Sequence, residues 1–206
     1  MRVVEAYPSG LMLLEPEVYS DDRGHFFESF NQRALERLVG AVQFVQDNQS
    51  RSRRMVLRGL HYQVHQPQGK LIRVLQGEIF DVAVDLREGS PWFGRWNALL
   101  LRACDQRMLW IPPGFAHGFL ALSDRVEVHY KTTEYYAPQY ERTLAWNDLD
   151  LGIPWPLDGE PILSAKDAHG IPLRDAETCC WPMEYSSRPP DRTISQPTFQ
   201  RTFASE

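Results

Sequence analysis

Between Val56 and Leu86 the chain reads VLRGLHYQVHQPQGKLIRVLQGEIFDVAVDL, which brings an imidazole, a guanidinium and an ammonium into one largely apolar run. His61 lies in Leu57-Arg58-Gly59-Leu60-His61-Tyr62-Gln63, with Arg58 three positions before it and Lys70 beyond a short loop. An imidazole titrates near neutrality and is the usual proton carrier in catalysis. Taken alone, His61 reads better as a core histidine with a satisfied hydrogen bond. To act as a base it needs an acceptor on its second ring nitrogen, which fixes the tautomer, and no neighbour in sequence supplies one. Tyr130 is the second group that could move a proton. It shares strand parity with Val126 and Val128, so it points inward with them, as a core aromatic or as a phenol facing a polar cavity.

Arg23, Arg58, Lys70, His117 and Lys166 are the candidate anion binders, because Arg offers a two-pronged fork and Lys a point charge. Tyr135 and Tyr136 could stack on a base or simply pack. Arg51, Arg53 and Arg54 form a basic cluster that reads as a solvated loop. Cys104 reads as an apolar filler. Histidines at 61, 65, 117 and 129 in a β protein invite comparison with cupins, which hold a transition metal through a His-x-His pair, a Glu and a later His. Here Gln63 stands two after His61 and no Glu follows before Glu78, so no metal site is expected.

These groups need rigid elements to hold them. Gln76-Gly77 separates two strands, and in the second Phe80, Val82, Val84 and Leu86 share one face while Asp81 and Asp85 take the other. Arg58 and His61 have opposite parity on a regular strand, so both reach one cavity only if Gly59 bulges or twists the chain. Upstream, Leu11–Glu15 reads as an edge strand, Asp21–Gly24 as a turn and His25–Phe30 as a strand. Asn31 caps a helix over Gln32–Val39 that Gly40 ends, and Val42–Gln46 reads as a strand. Downstream, Trp96–Leu101, Met108–Ile111, Phe119–Leu122 and Val126–Tyr130 are strand candidates. Many short strands between Gly, Pro and Asp turns, with one short helix, predict a mainly β barrel or jelly roll.

The totals fit one domain. At 206 residues a real core is possible, and a net charge of −5 argues against nucleic acid as the main partner. Three cysteines, two of them adjacent, make no disulfide framework, which points to a reducing cytoplasm. The sequence has neither a signal pattern nor an apolar run long enough to span a bilayer. Residues 1–182 are read as the domain, and 183–206, rich in Ser, Thr, Pro and Arg, as a polar mobile tail.

Arg58–Gln63, Gln68–Lys70, Gly77–Asp85, Leu109–Phe119, Tyr130–Pro138, Trp146–Asp148 and Leu163–Asp167 together resemble the dTDP-4-dehydrorhamnose 3,5-epimerase family, from about Leu14 to Arg174. The resemblance implies a cupin-like jelly-roll isomerase that inverts C3 and C5 of dTDP-4-dehydro-6-deoxy-D-glucose through enolates, in dTDP-L-rhamnose biosynthesis. It implies neither cofactor nor metal, and a homodimer whose apolar strands near Leu11–Leu14 and Phe26–Phe30 extend a neighbour's sheet. On it, His61 is the base, Asp167 orients it, Tyr130 is the acid and Lys70 steadies the enolate. Arg23, Phe26, Glu28, Gln46, Asp47, Asn48, Arg58, His117, Glu141 and Lys166 match nucleotide-sugar positions, and Tyr136 stacks on thymine. Relatives on the same scaffold epimerise one carbon or isomerise the ketone, and a sugar-binding cupin without activity is the non-enzymatic alternative. Val128-His129 and Ser186–Glu206 depart from the family pattern.

Overall fold

The computed structural model describes residues 1–178. In chain order the elements are β1 (Arg2–Ala6), β2 (Met12–Glu15), β3 (Val18–Asp21), β4 (Gly24–Phe27), α1 (Gln32–Val39), β5 (Gln46–Ser52) and β6 (Leu57–Gln63). They continue with β7 (Lys70–Gln76), β8 (Glu78–Asp85), β9 (Trp96–Arg102), β10 (Met108–Ile111), β11 (Phe115–Ala121), β12 (Val126–Thr132) and β13 (Glu141–Thr143). A six-stranded sheet runs β1-β2-β10-β7-β12-β5, and a five-stranded sheet runs β13-β6-β11-β8-β9. Every pairing in both is antiparallel. The two sheets face each other as a cupin-like jelly roll. Among the described residues, β3 and β4 pair only with each other.

Strand alternation sorts the apolar residues into three layers. Leu13, Ile72, Val74, Leu109, Ile111, Val126 and Val128 from the six-stranded sheet meet Ile79, Ala83, Leu99, Leu101, Phe115, Phe119 and Ala121 from the other. The opposite face of the five-stranded sheet, including Phe80, Val82, Val84 and Leu86, lies under Leu144, Leu151 and Trp155 of the irregular C-terminal region. α1 covers the outside of the six-stranded sheet, with Leu35 against Leu14, Leu71, Met108 and Trp110. Burying such a side chain fully contributes about 1.5–3 kcal/mol, so these layers hold the sheets in register. The helix has the expected ends. The Asn31 side chain accepts from the Ala34 amide, and the Gly40 amide closes on the Glu36 carbonyl.

Several sequence expectations are corrected. Leu11–Glu15 contains an inner strand, since β2 pairs with both β1 and β10; the edge is β1, whose short sequence RVVEA does not alternate. Val42–Gln46 is not the strand. β5 begins at Gln46 and takes in Asp47–Ser50 together with Arg51 and Ser52 of the supposed basic loop. It shows no apolar alternation because one face meets solvent and the other lines a polar site. β4 stops at Phe27, and β11 begins at Phe115 rather than Phe119. Cys104 is exposed in a 3-10 turn, not a core filler. Residues 183–206, read as a tail, lie outside the described residues.

Candidate active site

At one end of the sandwich the inward-facing positions turn polar. Tyr130 follows Val126 and Val128 along the inner face of β12, and Ile72 is its partner on β7. Lys70 lies on the same inner face as Ile72, is 7% exposed, and its Nζ donates to the His61 carbonyl at 3.4 Å. Gln46, Asn48, Ser50 and Ser52 alternate inward on β5, with Asn48 opposite Tyr130. His61 projects from the facing sheet, beside His117 in register.

Arg58 and His61 share this face because β6 is irregular between them. On β11, His117 pairs with His61 and Phe119 with Arg58, so Gly59 and Leu60 together oppose the single residue Gly118. Leu57 and Leu60, three apart, both join the outer core layer in consequence. Gly59 has φ +111° and is followed by a cis peptide. A Cβ there would stand 2.6 Å from the Gly118 Cα and 2.6 Å from the His117 oxygen, so only glycine permits the approach. The bulge expected at Gly59 is present, and it turns Arg58 inward. The Arg58 Nε donates to Ser52 Oγ at 3.0 Å and its Nη2 to the Arg51 carbonyl at 3.1 Å.

The acceptor that His61 lacks locally is Asp167, at the start of a 3-10 turn and 4% exposed. Its Oδ1 lies 2.5 Å from His61 Nε2, and its Oδ2 accepts from Ser164 Oγ at 2.7 Å. Burial by itself would raise the Asp167 carboxyl, but the hydrogen bonds from His61 and Ser164 outweigh it and hold the group below its ordinary value. A carboxylate only accepts, so Nε2 carries the proton and Nδ1 of neutral His61 keeps its lone pair. Burial pushes the Tyr130 phenol up; the Arg58 charge opposes this and Glu141 adds to it. Tyr130 therefore stays protonated at neutral pH and is poised as an acid, while His61 is poised as a base on the opposite wall.

Around this pair, Glu141 on β13 accepts from Lys166 Nζ at 2.7 Å and from the Tyr136 hydroxyl at 2.9 Å. The Gln46 amide bonds Asn48 at 2.9 Å and accepts from the Tyr136 backbone at 3.0 Å. Tyr136 remains half exposed, with its ring available for stacking. His117 is buried against Asp81, Nε2 to Oδ2 at 2.8 Å.

Four of the expected residues lie elsewhere. Asp47 faces outward and binds Lys131 Nζ at 2.8 Å. Arg23, Phe26 and Glu28 belong to the β3–β4 hairpin and its exit: Arg23 pairs with Asp21, Phe26 is 70% exposed, and Glu28 accepts from Asn31. Phe27 packs under the Arg73 guanidinium, on the outer side of the six-stranded sheet. A cleft of about 250 Å³ on that outer side, lined by Phe30, Arg73, His129 and Lys131 among others, contains none of the proton-moving groups. Sequence reading missed Ser52, Asp81 and Ser164. Ser164 carried a signal, a hydroxyl three residues before an acid at a turn; Ser52 and Asp81 only show their roles once their partners are known.

The sequence model of the dTDP-4-dehydrorhamnose 3,5-epimerase family matches residues 7–175. The chain belongs to that family. It is 57% identical over 173 residues to the dTDP-4-dehydrorhamnose 3,5-epimerase of Pseudomonas aeruginosa, covering 84% of this chain and 94% of that one. Its fold is similar to the crystal structure of the Legionella pneumophila dTDP-6-deoxy-D-glucose-3,5-epimerase in complex with dTDP-4-keto-L-rhamnose. There the TM-score is 0.84 at 45% identity, over 88% of this chain and 98% of that one. It is also similar to a 3'-monoepimerase from Streptomyces bikiniensis in complex with dTDP-quinovose, with TM-score 0.76 at 36% identity, over 82% and 86%. Members that invert two centres and one that inverts a single centre thus share this scaffold.

Proposed function

We propose that this member of the dTDP-4-dehydrorhamnose 3,5-epimerase family inverts C3 and C5 of dTDP-4-dehydro-6-deoxy-D-glucose to form dTDP-4-dehydro-L-rhamnose. The observation that supports this most directly is the His61–Asp167 pair facing Tyr130 from the opposite sheet. The C4 ketone acidifies the hydrogens on both neighbouring carbons. His61 Nδ1 takes the C5 proton, the electron pair moves into the enolate, and the imidazolium is balanced by Asp167. Lys70 beside His61 steadies the enolate oxygen. Tyr130 returns a proton from the other face; solvent then takes the proton from His61 and restores one to Tyr130, and the cycle repeats at C3. Arg58, His117 and Lys166 serve the diphosphate, Gln46 and Asn48 the nucleotide sugar, and Tyr136 the thymine. No cofactor enters this scheme, and residues 1–182 act as one cytoplasmic domain.

The hairpin and the β1 edge support a homodimer. Tyr19, Phe26, Val3 and Val4 are exposed apolar groups on strands that, among the described residues, are unpaired on one side. In this reading Arg23, Phe26 and Glu28 reach the site of a second copy, since they lie away from their own.

The test is proton exchange in deuterated buffer. Deuterium entering at C3 and C5, with L-rhamno product after ketone reduction, is the expected result. Exchange at one carbon identifies a mono-epimerase, and tight binding without exchange would falsify enzymatic action on this substrate.

A further inference from the structure

We propose that Asp81 is a positioning residue for ligand binding, acting through His117. This rests on the reading of the substrate as a nucleoside diphosphate sugar. Asp81 is on the inward column of β8 and wholly buried, and His117 reaches its Oδ2 from β11 at 2.8 Å. The second oxygen, Oδ1, is buried without a hydrogen-bond partner among the described residues. Few buried side-chain atoms among the described residues share that state, Ser50 Oγ and Arg73 Nε being two, and a carboxylate oxygen left so calls for a functional explanation. His117 supplies one. It sits next to His61 across the β6–β11 ladder, on the same inward face as Arg58 and Lys70.

Asp81 can only accept, so His117 Nε2 must donate to it. The ring is thereby fixed in one orientation, with Nδ1 turned away from Asp81. When an anionic diphosphate arrives, Nδ1 can donate only from an imidazolium, and the Asp81 charge is the counter-ion that supports that state in a buried place. The roles of the two His–Asp pairs are therefore distinct: Asp167 supports the base, and Asp81 supports a binding donor.

The test is a double-mutant cycle on dTDP affinity by calorimetry. Asp81→Asn and His117→Asn should each weaken dTDP binding about tenfold, the scale of one charge-assisted hydrogen bond. The double variant should be no weaker than His117→Asn alone, because Asp81 has nothing left to position. For turnover, Asp81→Asn should raise KM by more than it lowers kcat. Losses that multiply in the double variant, or full dTDP affinity in Asp81→Asn, overturn the role. A second measurement needs no variant: ring-nitrogen NMR of the wild-type protein should find the His117 proton on Nε2, and a bare Nε2 overturns the proposal. Wild-type protein that does not bind dTDP overturns the substrate reading itself, a different outcome from binding with multiplying losses.

Discussion

At the scale of single residues, the two walls make separable predictions. His61→Asn should abolish deuterium uptake at both carbons while dTDP binding persists. Tyr130→Phe keeps the base, so exchange should continue on one face while inversion falls by about 10²–10⁴-fold, the usual contribution of a general acid. Equal loss of exchange in both variants would remove the division of labour. Asp167 adds a pH signature. Its folded value lies below the unfolded one of about 3.9. The ionised carboxylate therefore adds stability above about pH 4, and that contribution is lost as pH falls through the depressed folded value. Asp167→Asn should flatten the acid limb of stability, read from urea midpoints between about pH 6 and pH 2. A limb parallel to that of the wild type would argue against the assignment. With Gln63 where a metal-binding cupin would carry a histidine, activity should survive exhaustive chelation; loss on chelation, restored by one metal, would reverse that expectation.

At the scale of elements, β6 decides the site. Its bulge costs ladder regularity, yet it places Arg58 and His61 on one face. Gly59→Ala would force a Cβ into the Gly118 and His117 backbone at positive φ, and should destabilise the protein by about 2 kcal/mol or more. The denaturation midpoint measures this, and a neutral substitution would show that the ladder can relax. β5 shows the converse. A strand of QDNQSRS has no hydrophobic pattern of its own; it is held by pairing to β12 along its whole length and spends its inner face on polar side chains.

For the whole molecule, the hairpin is the part its own chain does not explain. If Arg23, Phe26 and Glu28 serve a second copy, sedimentation should show a dimer at micromolar concentration. Mixing inactive His61→Asn with inactive Arg23→Ala chains should then restore activity toward about a quarter of the wild-type rate, since half of randomly paired dimers are mixed and each holds one intact site. No recovery after subunit exchange would confine the hairpin to another role.

What the sequence determined by itself was local. The alternation of Phe80, Val82, Val84 and Leu86, the Asn31 and Gly40 helix ends, and the inward parity of Tyr130 all follow from periods and caps that span a few residues. The parity conflict of Arg58 and His61 even located the bulge at Gly59. Several matters needed the tertiary structure. The His61–Asp167 bond closes across 106 residues, and no periodicity reports such a separation; only the resemblance named the partner before the fold did. β1, β3 and β5 were missed because edge and hairpin strands need not alternate in hydrophobicity, their stability coming from backbone pairing with neighbours. Asp47 and Asn48 are adjacent in sequence yet face opposite sides of one sheet, and which side becomes the site is settled by how the two sheets pack.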